Sequence, residues 1–255
     1  MRSGREQAGR EPDSSRRRDN SVAEFLKVAT AALFGALLMR TVLFEAFTIP
    51  SGSMKPALLV GDFVLVSKYS YGFTHYSLPL SPPWFSGRLF GALPDRGDVV
   101  VFRWPKDDSI DYIKRVIGLP GDRIKVVDGL VFINGKAVRR QRIDDFNDDE
   151  DGAGVPRWRE TLPNGVSYET LGLQDGPFEN TDEYQVPPGH FFMMGDNRDN
   201  SEDSRVLSAV GYVPFENLIG KAQVVFFSVS GTTPVWQVWD WGRAVRWSRL
   251  FTVVK

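Results

Sequence analysis

Two dipeptides, Asp128-Gly129 and Asn134-Gly135, constrain the fold more than any other feature of this chain. A two-residue hairpin turn needs positive φ at its centre, which Asn, Asp and Gly tolerate best, so each dipeptide predicts a tight reversal between antiparallel strands. The segments they join, 124–127, 130–133 and 136–139, then read as a three-stranded meander. Short β-branched runs bounded by Gly or Pro at 63–68 and 98–103, and an alternating run at 110–117 that ends in Gly-Leu-Pro-Gly-Asp, add further strands. Order returns at 183–186, 190–194, 211–213 and 219–229. No internal repeat and no alternation of strands with helices occurs, so the fold class is mainly β, an antiparallel domain.

The N-terminal part has a different character. Residues 1–22 carry six arginines among polar residues and predict a disordered basic tail. The window 25–43 is the most hydrophobic of the chain and is broken only by Lys27 and Arg40. A membrane helix needs roughly 20 apolar residues, and basic side chains near its ends can reach the interface. The charge-free run, 28–39, is twelve residues, which also fits a buried soluble helix or the core of a signal peptide. No small-x-small cleavage site with a polar start follows it; the chain continues into Val42-Leu43-Phe44. The reading is therefore one retained transmembrane helix, 23–46, preceding the β domain. Arg16, Arg17 and Arg18 on its N-terminal side place the N-terminus in the cytoplasm and the residues beyond 47 across the membrane.

Three stretches interrupt the strand pattern. The loop 76–94 is rich in Pro, Gly and bulky apolar residues (Leu80, Trp84, Phe85, Leu89, Phe90), and either lies against a membrane surface or packs on its own core. Segment 144–151 holds six acidic residues in eight and should be solvated; with the polar stretch up to 181 it marks 123–188 as an inserted β and loop subregion between core segments 47–122 and 189–230. Segment 231–255 mixes Trp236, Trp239, Trp241 and Trp247 with Arg243, Arg246 and Arg249, a composition that suits a membrane interface or a terminal segment packed on the domain.

Composition narrows the chemistry. The net charge of −1 gives no general electrostatic case for nucleic acid. The absence of cysteine removes disulfides, thiolate nucleophiles and cysteine-based metal sites, and two histidines, His75 and His190, argue against a zinc hydrolase. The run Phe47-Thr-Ile-Pro-Ser-Gly-Ser-Met-Lys-Pro holds Ser51 and Ser53 between Pro50 and Pro56. Proline restricts itself and its predecessor, so this segment should be stiff and non-helical, a way to present a hydroxyl or an ordinary loop. A serine attacks only when a base takes its proton. Neither histidine has a local carboxylate partner. Lys114 sits mid-strand among Tyr112, Ile113, Val116 and Ile117, where burial would favour its neutral form, although an outward-facing strand lysine fits the same pattern. Lys55 is a second amine two residues from Ser53. A cluster of turn formers at 195–205 alternates Asp and Asn but lacks the spacing of an EF-hand calcium loop.

Five ordered motifs together resemble the bacterial type I signal peptidases (leader peptidases), membrane-anchored Ser/Lys endopeptidases. They are Pro-Ser-Gly-Ser-Met-x-Pro at 50–56, Gly-Asp-Phe at 61–63, Arg-Gly-Asp-Val-Val-Val-Phe at 96–102, Asp-Tyr-Ile-Lys-Arg-Val-Ile-Gly-Leu-Pro-Gly-Asp at 111–122, and Gly-Asp-Asn-Arg-Asp-Asn-Ser-x-Asp-Ser-Arg at 195–205. The resemblance implies Ser53 as nucleophile and Lys114 as its base, with the Ser51 hydroxyl joining the Ser53 N–H in an oxyanion hole. It implies Ser201 as the group orienting the lysine, and Asp203 with Arg205 as a supporting pair. Substrate would add as a strand beside Asp111, Tyr112 and Ile113, with Ile49, Pro50, Met54 and Leu58 helping to line pockets for small residues at −1 and −3. No metal or cofactor is implied. The implied partners are signal-peptide-bearing preproteins, the lipid bilayer and a protein-export translocon, with no nucleic acid, at the outer face of the bacterial cytoplasmic membrane. Some members carry two membrane segments, and this chain shows one.

Overall fold

The computed structural model describes all residues except 1–13, 79–80, 83–85, 149–151, 173–175, 177, 231–238 and 240. The chain divides into two compact units, Met1–Arg40 and Thr41–Lys255.

Helix α1 spans Ser14–Val42, 29 residues, or about 43 Å at the usual rise. It begins inside the stretch 1–22 read as a basic tail; arginine is a good helix former, and Arg16, Arg17 and Arg18 do not oppose the helix. Phe25, Leu26, Val28, Leu33, Phe34 and Leu37 are all exposed. Among the described residues, no helix is long and apolar enough to cross a membrane.

The second unit is mainly antiparallel β. In chain order its strands are β1 (Phe44–Thr48), β2 (Asp62–Ser67), β3 (Val99–Trp104), β4 (Asp107–Gly118), β5 (Arg123–Val127), β6 (Leu130–Ile133), β7 (Lys136–Ala137), β8 (Arg139–Arg142) and β9 (Phe146–Asp148). They continue with β10 (Gly152–Val155), β11 (Arg157–Thr161), β12 (Ser167–Leu171), β13 (Tyr184–Gln185), β14 (His190–Met194), β15 (Val213–Pro214), β16 (Leu218–Ser228) and β17 (Thr252–Val253). An eight-stranded sheet runs β1-β2-β16-β3-β4-β14-β15, with β17 also on β16. Val99 and Val101 enter one apolar cluster with Val64, Val66 and Ile219, whereas Val100 and Phe102 enter another with Val116, Phe191 and Met193. This strand is apolar at successive positions because both of its faces are covered.

Both hairpin dipeptides turn as expected: Asp128, Gly129, Asn134 and Gly135 have φ of 48°, 69°, 53° and 77°. The meander differs at its third strand. Lys136–Ala137 pairs with β6, but Val138 turns into the core and Arg139–Arg142 leaves to pair with β11. The polar region contains more strand than its composition suggests, a hairpin β9-β10 and a three-stranded sheet β12-β11-β8. On that sheet Arg157 and Arg159 both pair with Glu169, while Glu160 points into the protein. An inward carboxylate hides the strand from any search for alternating hydrophobicity.

At the C-terminal end, Trp241 packs its ring 5.2 Å from that of Phe227, whereas Trp239 and Trp247 are exposed. Trp236 and the loop residues Leu80, Trp84 and Phe85 lie outside the described residues. Phe90, on the same loop, is exposed.

Candidate active site

The serine segment departs from the non-helical expectation at one point. Gly52–Met54 forms a single 3-10 turn, closed by the Lys55 N–H donating to the Gly52 carbonyl at 3.1 Å. Lys55, which precedes Pro56, returns to an extended conformation and ends the turn. Ser53 is thereby held on a turn one residue long at either side, and it is 8% exposed. A side-chain carbon on Gly52 would come within 3.3 Å of the buried Lys55 side chain, which would have to give by a few tenths of an ångström.

The amine at hydrogen-bond distance from Ser53 belongs to Lys114. Its Nζ lies 2.7 Å from Ser53 Oγ, and Ser51 Oγ lies 3.3 Å from the same atom. Lys114 is 4% exposed. Burial lowers its pKa to about 8, even though the carboxylates of Asp203, Asp196 and Glu202 pull the other way. A lysine near 8 is partly neutral under mild conditions and can accept a proton.

Segment 195–205 closes the other side of the serine. The Asn197 N–H donates to the Ser53 carbonyl at 3.1 Å, and Asn197 Nδ2 donates to the Gly52 carbonyl at 3.2 Å. A Cβ on Gly195 would lie 2.2 Å from Ser201 Oγ and 2.6 Å from the Ser53 carbonyl oxygen, so any side chain there would push the two segments apart. Asp203 accepts from Arg205 Nε and Nη2, both at 2.9 Å, from the Gly195 N–H at 3.0 Å and from Ser201 Oγ at 2.8 Å. Burial alone would raise its pKa; the guanidinium of Arg205 and these hydrogen bonds reverse that and keep it ionised. The Ser201 hydroxyl thus points to Asp203 in this structure, and among the described residues Lys114 makes its close contact with Ser53.

Pro50, Ser51, Ser53, Asp111, Tyr112, Ile113 and Lys114 line one cleft of about 380 Å³, together with Ile110, Asn200 and Glu202. Ile49, Met54 and Leu58 do not reach it as exposed lining. They are 2%, 0% and 0% exposed and belong to the core cluster against which Ile113 packs. Strand β4 meets the cleft with an open edge. β3 pairs along one side of it from Asp107 to Arg115, while β14 pairs only at Arg115, Val116 and Gly118 among the described residues. An unpaired edge beside Asp111–Lys114 can accept another strand.

Sequence reasoning missed several residues that hold this arrangement. Arg115, adjacent to Lys114 in β4, is fully buried and binds Asp196 through Nε and Nη2 at 2.8 and 2.6 Å. Asn197, Glu160 and Arg198 were likewise not singled out. The signal for Arg115 was available, a second charge beside Lys114 in an apolar run; the partners were not, since they lie 81 positions away.

The model of the signal peptidase family, peptidase S26, matches residues 22–227. Signal peptidase I of Rickettsia canadensis (strain McKiel) is 43% identical over 239 residues, covering 85% of this chain and 87% of that protein. Signal peptidase I of Rickettsia prowazekii (strain Madrid E) is also 43% identical, with 85% and 88% covered. A crystal structure of a signal peptidase I from Enterococcus faecalis aligns with a TM-score of 0.30 and 24% identity, over 51% of this chain and 97% of the other. With a family match over residues 22–227 and such relatives along 85% of its length, the chain belongs to the signal peptidase family, peptidase S26, and is an enzyme of that family.

Proposed function

We propose that the protein removes signal peptides from preproteins by a Ser53/Lys114 mechanism. The observation that carries this reading is the 2.7 Å separation of a buried, pKa-lowered amine from a serine hydroxyl at the floor of a cleft. Neutral Lys114 takes the Ser53 proton as Oγ attacks the scissile carbonyl, giving a tetrahedral oxyanion. The ammonium then returns that proton to the leaving amine, and the acyl-enzyme is released by a water whose proton Lys114 takes in turn. The Ser51 hydroxyl and the Ser53 N–H stabilise the oxyanion, a role in which losing one donor costs roughly 10²–10³ in rate. Asp203, held by Arg205, fixes the hydroxyl of Ser201, the residue assigned to orient the lysine.

The extended substrate adds to the open edge of β4 at Asp111, Tyr112 and Ile113, where main-chain pairing supplies affinity. Pro50, Tyr112 and Ile113 shape shallow pockets for small residues at −1 and −3, with Ile49, Met54 and Leu58 fixing the wall from inside the core. Residues 47–122 and 189–230 form the catalytic core, 123–188 the inserted subregion and 231–255 a C-terminal segment. The hydrophobic stretch from residue 23 to the end of α1 at Val42 serves as a single-pass anchor in the bacterial cytoplasmic membrane, shorter than the expected 23–46 because Phe44, Glu45 and Ala46 pair in β1, with the N-terminus inside and the catalytic unit outside, near lipid and the export translocon. This placement rests on the family, the apolar window and the arginines at 16–18.

Cleavage of a purified preprotein in detergent tests the reading. Ser53→Ala and Lys114→Ala should each abolish processing, and Lys55→Ala should retain it. Loss of activity in Lys55→Ala with retention in Lys114→Ala would reassign the base; no cleavage by the wild-type chain would favour a docking protein for exported chains.

A further inference from the structure

The serine is gripped from behind by a residue whose own position is set by a remote sheet. Asn197 holds the carbonyls of Gly52 and Ser53, and it stands between two residues that are each tied down by a buried ion pair. On one side Asp196 is bound by Arg115. On the other, Arg198 Nη1 and Nη2 donate to the two oxygens of Glu160 at 2.9 and 2.6 Å. Glu160 lies on β11, is 1% exposed, and also accepts from the Tyr168 hydroxyl at 2.9 Å. The Arg198 main chain is fixed as well: its N–H donates to the Leu171 carbonyl on β12 at 2.8 Å, and its carbonyl accepts from Arg205 Nη2 at 2.6 Å. Burial alone would lower the Arg198 pKa, but the Glu160 carboxylate more than offsets it, so the guanidinium stays charged.

An ion pair buried this deeply is weak support for stability, since an apolar pair of similar volume can serve as well. What such a pair does provide is fixed geometry, because a bidentate guanidinium and carboxylate fit in one orientation. We propose that Glu160 is a positioning residue for Ser53, acting through Arg198 and Asn197 to fix the nucleophile turn against Lys114. The three-stranded sheet is then part of the catalytic scaffold rather than a peripheral addition. This inference rests on the proposed serine mechanism, and its test is arranged to separate the two.

Preprotein cleavage is measured with the full chain in detergent for the wild type, Glu160→Gln, Glu160→Asp and the double variant Glu160→Met/Arg198→Met, with Glu169→Gln on the same sheet as control. Misplacing a reacting group by about 1 Å can cost 10²-fold. The expected result is a kcat about 10²-fold lower in Glu160→Gln with KM nearly unchanged, partial recovery in Glu160→Asp, and no effect in Glu169→Gln. The double variant should recover most of the Tm lost in Glu160→Gln, since among the described charged groups only Arg140, 4.0 Å from Glu160 and 12% exposed, loses a carboxylate contact, yet stay low in kcat. A double variant that recovers kcat along with Tm overturns the proposal. Amide hydrogen exchange of Asn197 in the double variant decides independently of turnover: lost protection supports the clamp, and wild-type protection overturns it. Inactivity of the wild type would count against the serine mechanism alone.

Discussion

The floor of the cleft and the layer behind it bury similar charges in opposite ways. Behind the cleft, Arg115, Arg198 and Arg205 are 0%, 5% and 6% exposed, and each meets its own carboxylate in a two-nitrogen contact: Asp196, Glu160 and Asp203. At the floor, Lys114 is equally buried but faces the Ser53 hydroxyl, with carboxylates acting on it only from farther away. The consequence appears in the titration. For Arg115 and Arg198 the carboxylate overcomes burial and the pKa rises; for Lys114 burial wins and it falls to about 8. Paired charges fix geometry, and an amine short of a close anion becomes a base.

Breaking a pair should have the largest effect on stability. Asp196→Asn leaves the Arg115 guanidinium buried without its anion, and the expected loss is about 3–5 kcal/mol by denaturant unfolding. A loss below about 1 kcal/mol would mean that Arg115 finds water or another acceptor. The opposite sign is expected at the cleft floor. A lysine that titrates at about 8 folded and at 10.5 unfolded costs the fold about 3 kcal/mol when both states are protonated. Lys114→Met should therefore be more stable than wild type by up to that amount below pH 8. Between pH 8 and 10.5 the unfolded state binds the extra proton, wild-type stability climbs with pH, and the gain should fade. An advantage for Lys114→Met that does not depend on pH would separate its cause from the charge.

The smallest effect concerns the rim of the cleft. In the proposed mechanism kcat/KM rises with pH through about 8 as Lys114 loses its proton. Glu202 lines the cleft, accepts from the Tyr112 hydroxyl at 3.3 Å and favours the charged lysine. Glu202→Gln should move the midpoint of that rise to lower pH, whereas Tyr112→Phe, which leaves the carboxylate in place, should not. Equal midpoints in wild type and Glu202→Gln would show that solvent screens the rim from the floor.

Much of the β architecture was legible because its determinants are local. The Asp-Gly and Asn-Gly turns need only their own φ preferences, and the apolar runs at β2, β3, β4, β14 and β16 announce burial by composition. The polar sheet β12-β11-β8 was not legible, since its inward position at Glu160 is charged and becomes tolerable only when Arg198, 38 positions away, arrives. The same applies to the third strand of the meander, which Val138 breaks by turning into the core. Ser53 and Lys114 could be named from ordered motifs, yet the choice between Lys114 and Lys55 could not be made from spacing. Both amines are buried, and only the fold brings one of them to 2.7 Å from the hydroxyl.

By itself, then, the sequence determined turns, strand-forming runs, the apolar N-terminal stretch and the residue types available for chemistry, all properties of neighbours along the chain. Tertiary structure decided which amine meets the serine, which carboxylate neutralises each buried guanidinium and which edge of β4 stays open. Those are contacts between distant segments, and the pKa values and hydrogen bonds that give the site its character depend on separations of a few ångströms that no local pattern encodes.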